Sequence, residues 1–130
     1  MSDGHGADET RRWSNATHRL GIRQLGPGKG FVRPALRLNA GRMGPMPGEG
    51  NVALVSQSGA LGGAILDWAT GTVIGFSLAV SLGAEADVDI AQVLDFLTTD
   101  NRTKSVVVYL EAVRQSRSFM SALRALATIK

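Results

Sequence analysis

The chain has 130 residues, 44% of them hydrophobic, with 14 Lys+Arg against 11 Asp+Glu and no cysteine. That length suits one domain burying roughly two-thirds of the surface its unfolded chain exposes, and the missing cysteine excludes a disulfide scaffold, a thiolate metal centre and a cysteine nucleophile. Two histidines, His5 and His18, are too few for a histidine-rich metal site.

Residues 1–20 read as a polar leader, partly disordered or helical, and MSDGHGADETRRW is no signal peptide. No apolar run reaches the roughly 18 residues of a membrane span, so a cytoplasmic protein with no membrane partner is expected. Residues 1–50 carry eight Lys/Arg and four acids, whereas residues 51–130 carry six and seven. The basicity therefore belongs to the leader and not to a groove-reading face. With 5% aromatics there is also little for base stacking, and nucleic acid is not an expected partner.

Residues 21–50 form a Gly/Pro-rich linker holding all four prolines. Gly21–Leu25 and Phe31–Leu38 could each make a short strand, while Gly41–Gly50 is too rich in Gly and Pro for regular structure. Gly26-Pro27-Gly28-Lys29-Gly30 resembles a phosphate loop in composition, but it lacks the G-x-x-x-x-G-K-[ST] spacing and a strand–helix frame and reads as a turn.

From Asn51 a strand–helix unit repeats three times over residues 51–130. Val52-Ala53-Leu54-Val55 is a continuous apolar run, as expected of a strand covered on both faces. After Ser56-Gln57-Ser58-Gly59 comes a helix whose Leu61, Ala64, Ile65 and Trp68 share one face by the i, i+3, i+4, i+7 rule. Val73–Val80 is the second strand, weakened at Gly75. Asp87 or Asp89 caps a helix bearing Ile90, Val93, Leu94 and Leu97. Val106–Leu110 is the third strand, and Ser116 caps a last helix that buries Phe119, Ala122, Leu123 and Leu126.

Three such units predict an α/β, flavodoxin-like parallel sheet, an incomplete doubly wound domain preceded by an irregular leader. Three parallel strands leave association-prone edges. Either the leader adds strands, or a partner does, a homodimer included, or the chain is part of a larger domain.

The corner Ser56-Gln57-Ser58-Gly59 gathers free backbone N–H groups, two hydroxyls and small residues at a helix N-terminus, which suits an anion. An ordinary serine N-cap, with glycines for close helix–sheet packing, is the competing reading. A helix terminus contributes about 0.3–1 kcal/mol, whereas even millimolar binding needs about 4 kcal/mol, so this corner can form one wall of a site and not the whole of it. In a flavodoxin-type sheet the first and third strands are neighbours, which sets Glu111 beside the corner. A carboxylate there repels a phosphate unless a cation such as an imidazolium lies between them. The alternative is a solvated glutamate at a strand end.

Ser58 is no hydrolase nucleophile, because the flanking glycines of G-x-S-x-G are missing and both histidines precede it. Asp87, Asp89 and Asp95 fit helix capping and a polar helix face better than a metal site, and no metal is expected.

Asn51-Val52-Ala53-Leu54-Val55-Ser56-Gln57-Ser58-Gly59-Ala60-Leu61-Gly62 and Ile65-Leu66-Asp67-Trp68-Ala69 resemble the succinyl-CoA-ligase-like domain of NDP-forming acyl-CoA synthetases, the ADP-forming acetate–CoA ligases among them. So do Val80-Ser81-Leu82-Gly83, Ala86-Asp87-Val88-Asp89 and Tyr109-Leu110-Glu111. More weakly, Gly21-Ile22-Arg23, Leu25-Gly26-Pro27 and Leu38-Asn39-Ala40 are similar to the linker that follows that family's CoA-binding domain. There the family's G-P-N-x-x-G appears shortened and without its Asn.

The resemblance implies the reaction acyl-CoA + phosphate + ADP → acid + CoA + ATP, through an acyl phosphate and a phosphohistidine. Ser56, Gln57, Ser58 and Gly59 match the turn that receives phosphate, and Glu111 matches the carboxylate that orients the phosphorylated histidine. Neither His5 nor His18 matches that histidine. The expectation is half of a phosphate/phosphohistidine site, inactive alone. Its partners would be a phosphohistidine loop, a CoA-binding domain and an ATP-grasp domain, and CoA, ATP/ADP and Mg would be cofactors of the complete enzyme only. The alternative is a non-catalytic regulatory or binding module, as in acetyltransferase-fused relatives.

Overall fold

The computed structural model describes residues 3–25, 29–41, 43–83, 85 and 87–130. Gly26, Pro27 and Gly28, where the sequence reads as a turn, lie outside them. Helix α1 spans Asp3–Arg19, and strands β1 (Gly30–Arg33) and β2 (Leu38–Gly41) follow, joined through a 3-10 turn at Pro34–Leu36. The α/β units are β3 (Glu49–Ser56) with α2 (Gly59–Ala69), β4 (Phe76–Ser81) with α3 (Ile90–Thr99), and β5 (Ser105–Tyr109) with α4 (Ser116–Ile129). Among the described residues, no helix is long and apolar enough to cross a membrane.

One five-stranded sheet has the order β2-β1-β4-β3-β5. The three expected parallel strands stand together with β3 in the middle, paired with β4 through Ser56↔Ser81 and with β5 through Ser56↔Tyr109. The linker extends the sheet at the β4 edge, where β1 runs antiparallel to β2 and β4. Phe31–Leu38 thus supplies β1 and the start of β2, whereas Gly21–Leu25 makes no strand. That segment is held on the Asp87 carboxylate instead: the Arg23 side chain pairs with it, and the Gln24 backbone N–H donates to it at 2.8 Å.

Alternate residues of the central strands feed two cores. Ala53, Val55, Leu78, Val80 and Leu82 pack against Leu94 and Leu97 of α3 and Phe119, Ala122 and Leu126 of α4. Each large side chain there contributes about 1.5–3 kcal/mol by leaving water. On the opposite face Val32, Leu54 and Ala79 pack against Met43 and against Leu66 and Ala69 of α2. A part-buried ion pair, Arg33 to Asp100 at 2.9 Å, ties β1 to the end of α3.

Several local expectations change. The inner face of α2 is Gly62, Leu66 and Ala69; of the expected Leu61, Ala64, Ile65 and Trp68, Ile65 packs partly buried against that core, whereas Ala64 is exposed and Trp68 is 60% exposed. The helix rests on its small residues, because a Cβ on Gly62 would come within 2.9 Å of Met43 Cε and one on Gly63 within 3.3 Å of the Met43 carbonyl oxygen. Closeness of approach has displaced hydrophobicity as the choice of face. Strand β4 begins at Phe76, not at Val73, since the Thr72 hydroxyl accepts the Ile74 N–H and holds Val73 and Ile74 in a turn. Of the two aspartates expected at the start of α3, Asp89 is the cap, in a reciprocal capping box with Gln92. Gln115, not Ser116, occupies the N-cap of α4 and makes no side-chain capping bond.

Candidate functional site

The corner after β3 lies at the carboxyl ends of all three parallel strands, where open α/β sheets bind ligands. Ser56 is fully buried. Its carbonyl accepts the Leu82 N–H at 2.9 Å, and the Gln57 N–H donates to the Tyr109 carbonyl at 3.1 Å, so the corner is laced to both neighbouring strands. The Ser56 hydroxyl donates to the Ser58 carbonyl at 2.7 Å and accepts the Ser58 N–H at 3.0 Å. Ser58 Oγ caps α2 by accepting the Leu61 N–H at 3.2 Å. The two hydroxyls therefore shape the turn. The N–H groups of Gly59 and Ala60 open the helix, where no upstream carbonyl serves them.

Gln57 is 8% exposed and uses every hydrogen-bonding position of its amide. Its Oε1 accepts the N–H groups of Glu111, at 2.6 Å, and of Ala112, at 3.0 Å. Its Nε2 donates to Glu85 Oε1 and to the Ala112 carbonyl, each at 2.8 Å. One side chain thus joins the exits of β3, β4 and β5. Gln57 and Glu111 are brought together as the topology predicted, through the glutamate's backbone; the Glu111 side chain itself is exposed.

A crevice of about 230 Å³ follows, lined by Gln57, Gly83, Glu85, Glu111, Ala112 and Arg114. Ser56, Ser58 and Gly59 adjoin it through the turn and do not line it. A neighbouring depression of about 190 Å³ shares Glu85 and Arg114 and reaches Asp87 and Asp89 at the start of α3. The hydrogen bond from the Gln24 N–H holds the Asp87 carboxyl below its ordinary value against the opposing effect of burial, with Arg23 adding to the lowering. Asp95 lies exposed on the outer side of α3. Among the described residues, no three acidic or histidine side chains gather in a metal-binding group.

Glu85 and Arg114 were not singled out in the sequence. Glu85 adopts φ +56°, a left-handed conformation costing about 1–2 kcal/mol in a non-glycine residue, and its carboxylate is held by Gln57. Nothing in the local pattern marks it; only the folded loop puts it against Gln57. Arg114 supplies a positive charge beside the carboxylates of Glu85 and Glu111.

Residues 49–130 match the family described as a succinyl-CoA ligase like flavodoxin domain. The alpha subunit of the ADP-forming acetate–CoA ligase I of Pyrococcus furiosus is 41% identical over 110 residues, 82% of this chain and 23% of that protein. The ADP-forming acetate–CoA ligase I of Archaeoglobus fulgidus is 33% identical over 126 residues, 96% of this chain and 18% of that one. The chain therefore spans about a quarter or less of these relatives. Among solved structures, PH0766 from Pyrococcus horikoshii superposes with a TM-score of 0.88 at 34% identity, covering 98% of this chain and 29% of that one. A dinucleotide-forming acetyl-coenzyme A synthetase 1 from Ca. Korarchaeum cryptofilum, in complex with phosphate and ADP, superposes with a TM-score of 0.81 at 35% identity, covering 96% of this chain and 27% of that one. On both the family match and the fold, the chain belongs to the succinyl-CoA-ligase-like flavodoxin domain family.

Proposed function

We propose that this chain is part of an NDP-forming acyl-CoA synthetase and contributes half of its phosphate/phosphohistidine site. The observation that carries the reading is the tie from Gln57 to the Glu111 and Ala112 N–H groups, which fixes the carboxylate's backbone beside the α2 corner. Ser56 and Ser58 shape the corner, Gly59 and Ala60 offer N–H groups to phosphate oxygens, and Gln57 holds the wall opposite. Glu111 accepts a hydrogen bond from an incoming imidazole, orienting the ring and favouring its positive charge as a phosphoryl group approaches. A solved relative in complex with phosphate and ADP, 27% of which this chain covers, is in keeping with a phosphate role for the complete enzyme. CoA, ATP/ADP and Mg serve the complete enzyme, and the residues that hold them are sought in the larger part of the relatives' length.

On this reading the chain does not turn over by itself. Incubated with labelled ATP, acetate, CoA and Mg, it should yield neither acyl-CoA nor an acid-labile phosphoprotein; either product overturns the proposal. The coding sequence around this chain should encode a histidine loop and an ATP-grasp region, whereas an adjacent acetyltransferase would favour a regulatory module. We also infer self-association through β5, which pairs only with β3 among the described residues and leaves Val107 and Tyr109 exposed. A stable monomer in sedimentation at high micromolar concentration would overturn that.

A further inference from the structure

Glu85 stands in a backbone conformation that a residue with a side chain does not favour. Its φ of +56° is left-handed, and such a backbone persists outside glycine only where its surroundings fix it. The Glu85 N–H donates to the Leu82 carbonyl at 3.2 Å, and the Leu82 N–H donates to the Ser56 carbonyl at 2.9 Å. Leu82 itself is fully buried. Beyond Glu85, the Asp87 carboxylate is pinned by Arg23 and by the Gln24 N–H, and Asp89 caps α3. Glu85 is therefore mounted between two anchored points.

The segment it faces is not anchored in this way. Residues 111–115 are all exposed. Among the described residues, the Glu111 and Ala112 N–H groups share one acceptor, Gln57 Oε1, and the Ala112 carbonyl takes its hydrogen bond from Gln57 Nε2. The direction of that amide decides whether the exit of β5 is held, since the reverse orientation would set the Nε2 hydrogens against two N–H groups. Of the two acceptors on Nε2, the Ala112 carbonyl belongs to the segment being held. Glu85 Oε1, at 2.8 Å, is the one carried by a fixed element. An ionised carboxylate accepts and cannot donate, so it admits only the donor side of the amide.

We infer that Glu85 is a positioning residue for Glu111, acting through the Gln57 amide. It turns that amide so that Oε1 faces the β5 exit, and so fixes the point from which the Glu111 side chain leaves the backbone. Both glutamates line the same crevice, and the Glu85–Gln57–Ala112 clamp sets the distance between its two sides. A glycine would adopt φ +56° without strain but would bring no acceptor to that point. The inference rests on the role proposed above for Glu111 and adds to it the residue that aims it.

The test follows hydrogen exchange and the Gln57 side-chain resonances in the ¹⁵N-labelled 130-residue chain. The wild type should show distinct, protected Gln57 Nε2 hydrogens and slow exchange at the Glu111 and Ala112 amides. Glu85→Gly relieves the backbone while removing the acceptor. Global stability should therefore hold or rise while both amides exchange about tenfold faster and the Nε2 signals move toward those of a free amide. Glu85→Gln keeps an acceptor for Nε2 and should restore protection to within about threefold of the wild type. Glu85→Leu, with neither acceptor nor relief, should lose both protection and stability; if it fails to fold, the glycine and glutamine variants decide. Unchanged exchange at Glu111 and Ala112 in Glu85→Gly overturns the inference, since the Ala112 carbonyl would then orient the amide alone. Faster exchange that runs in step with the Val55 and Val80 core amides overturns it too, because it reports a merely structural role. So does a Glu85→Gln chain that exchanges as fast as Glu85→Gly. These readouts need neither phosphate nor imidazole, so their failure leaves the phosphate reading standing, and that reading fails separately in the labelled-ATP incubation.

Discussion

The two faces of the sheet are built on different principles. Toward α3 and α4 the contact is made by large aliphatic side chains, with Leu82, Leu94 and Leu97 fully buried. Toward α2 it is made by a glycine, an alanine and one leucine, with Met43 filling the space beneath Gly62. The first face gains its stability from area removed from water; the second trades area for closeness, which brings the helix N-terminus down onto the strand exits. The start of α2 shows the same closeness, since a Cβ on Gly59 would stand 3.4 Å from Ser81 Oγ.

The sharpest way to break this comparison is to truncate one large side chain on each side. Leu94→Ala should destabilise the chain by about 3–4 kcal/mol through lost transfer energy and the cavity left behind. Trp68→Ala, on the α2 side, should cost within about 0.5 kcal/mol despite removing a larger group, because that indole is 60% exposed. Chemical denaturation of both variants checks the pair. Equal costs would return Trp68 to the inner face of α2, where hydrophobic periodicity first set it.

Next in size comes the ion pair that fastens the β1 edge. Asp100 accepts from Arg33 at 2.9 Å and from the Thr103 hydroxyl at 2.7 Å. Burial pushes the Asp100 carboxyl up, but the hydrogen bonds from Arg33 and Thr103 and the Arg33 charge hold it below its ordinary 3.8. A carboxyl lowered by folding gives stability that is fully present above the ordinary value and is lost as pH falls through it toward the lower folded one. Asp100→Asn should cost about 3 kcal/mol at neutral pH by leaving the Arg33 charge unpaired. It should also flatten the acid limb of the stability curve below about pH 4. Parallel denaturation series from pH 3 to 7 on the wild type and the variant check both points.

The same contrast explains what was legible in the sequence. Ile90, Val93, Leu94 and Leu97, and Phe119, Ala122 and Leu126, were read correctly because large side chains at helical spacing announce their own burial. The order β4-β3-β5 followed from three repeated strand–helix units, and with it the neighbourhood of Gln57 and Glu111. The α2 face was misread because periodicity weighs hydrophobicity, and Gly62 carries none. Glu85 and Arg114 have no local signal, since their place in the crevice depends on loop conformation. The linker hairpin was half-seen: Phe31–Leu38 looked extended, but pairing with β4 requires a contact nearly fifty residues away, as Phe31↔Val80 shows.

The smallest of the three effects separates the roles within the corner. Gln57→Leu keeps the volume of a buried side chain but strips partners from the Glu111 and Ala112 N–H groups and from the Ala112 carbonyl. Water can reach this exposed loop and replace part of the loss, so the expected cost is about 2 kcal/mol, and not the sum of three unsatisfied groups. Hydrogen exchange should show the Glu111 and Ala112 amides losing protection while Val55 and Val80 keep theirs. Gln57→Glu is the finer probe, because it retains the acceptor for both N–H groups and places a new acid against Glu85. That acid is pushed upward by its carboxylate neighbour, and only its protonated form can donate to Glu85 or to the Ala112 carbonyl. A group raised in the folded state stabilises below its ordinary value and loses that contribution as pH rises through the folded one. The Gln57→Glu chain should therefore grow less stable than wild type from mildly acidic to neutral pH, in the opposite sense to the Asp100 limb. A variant tracking the wild-type curve throughout would mean that the Gln57 amide hydrogens do not hold the β4 and β5 exits together.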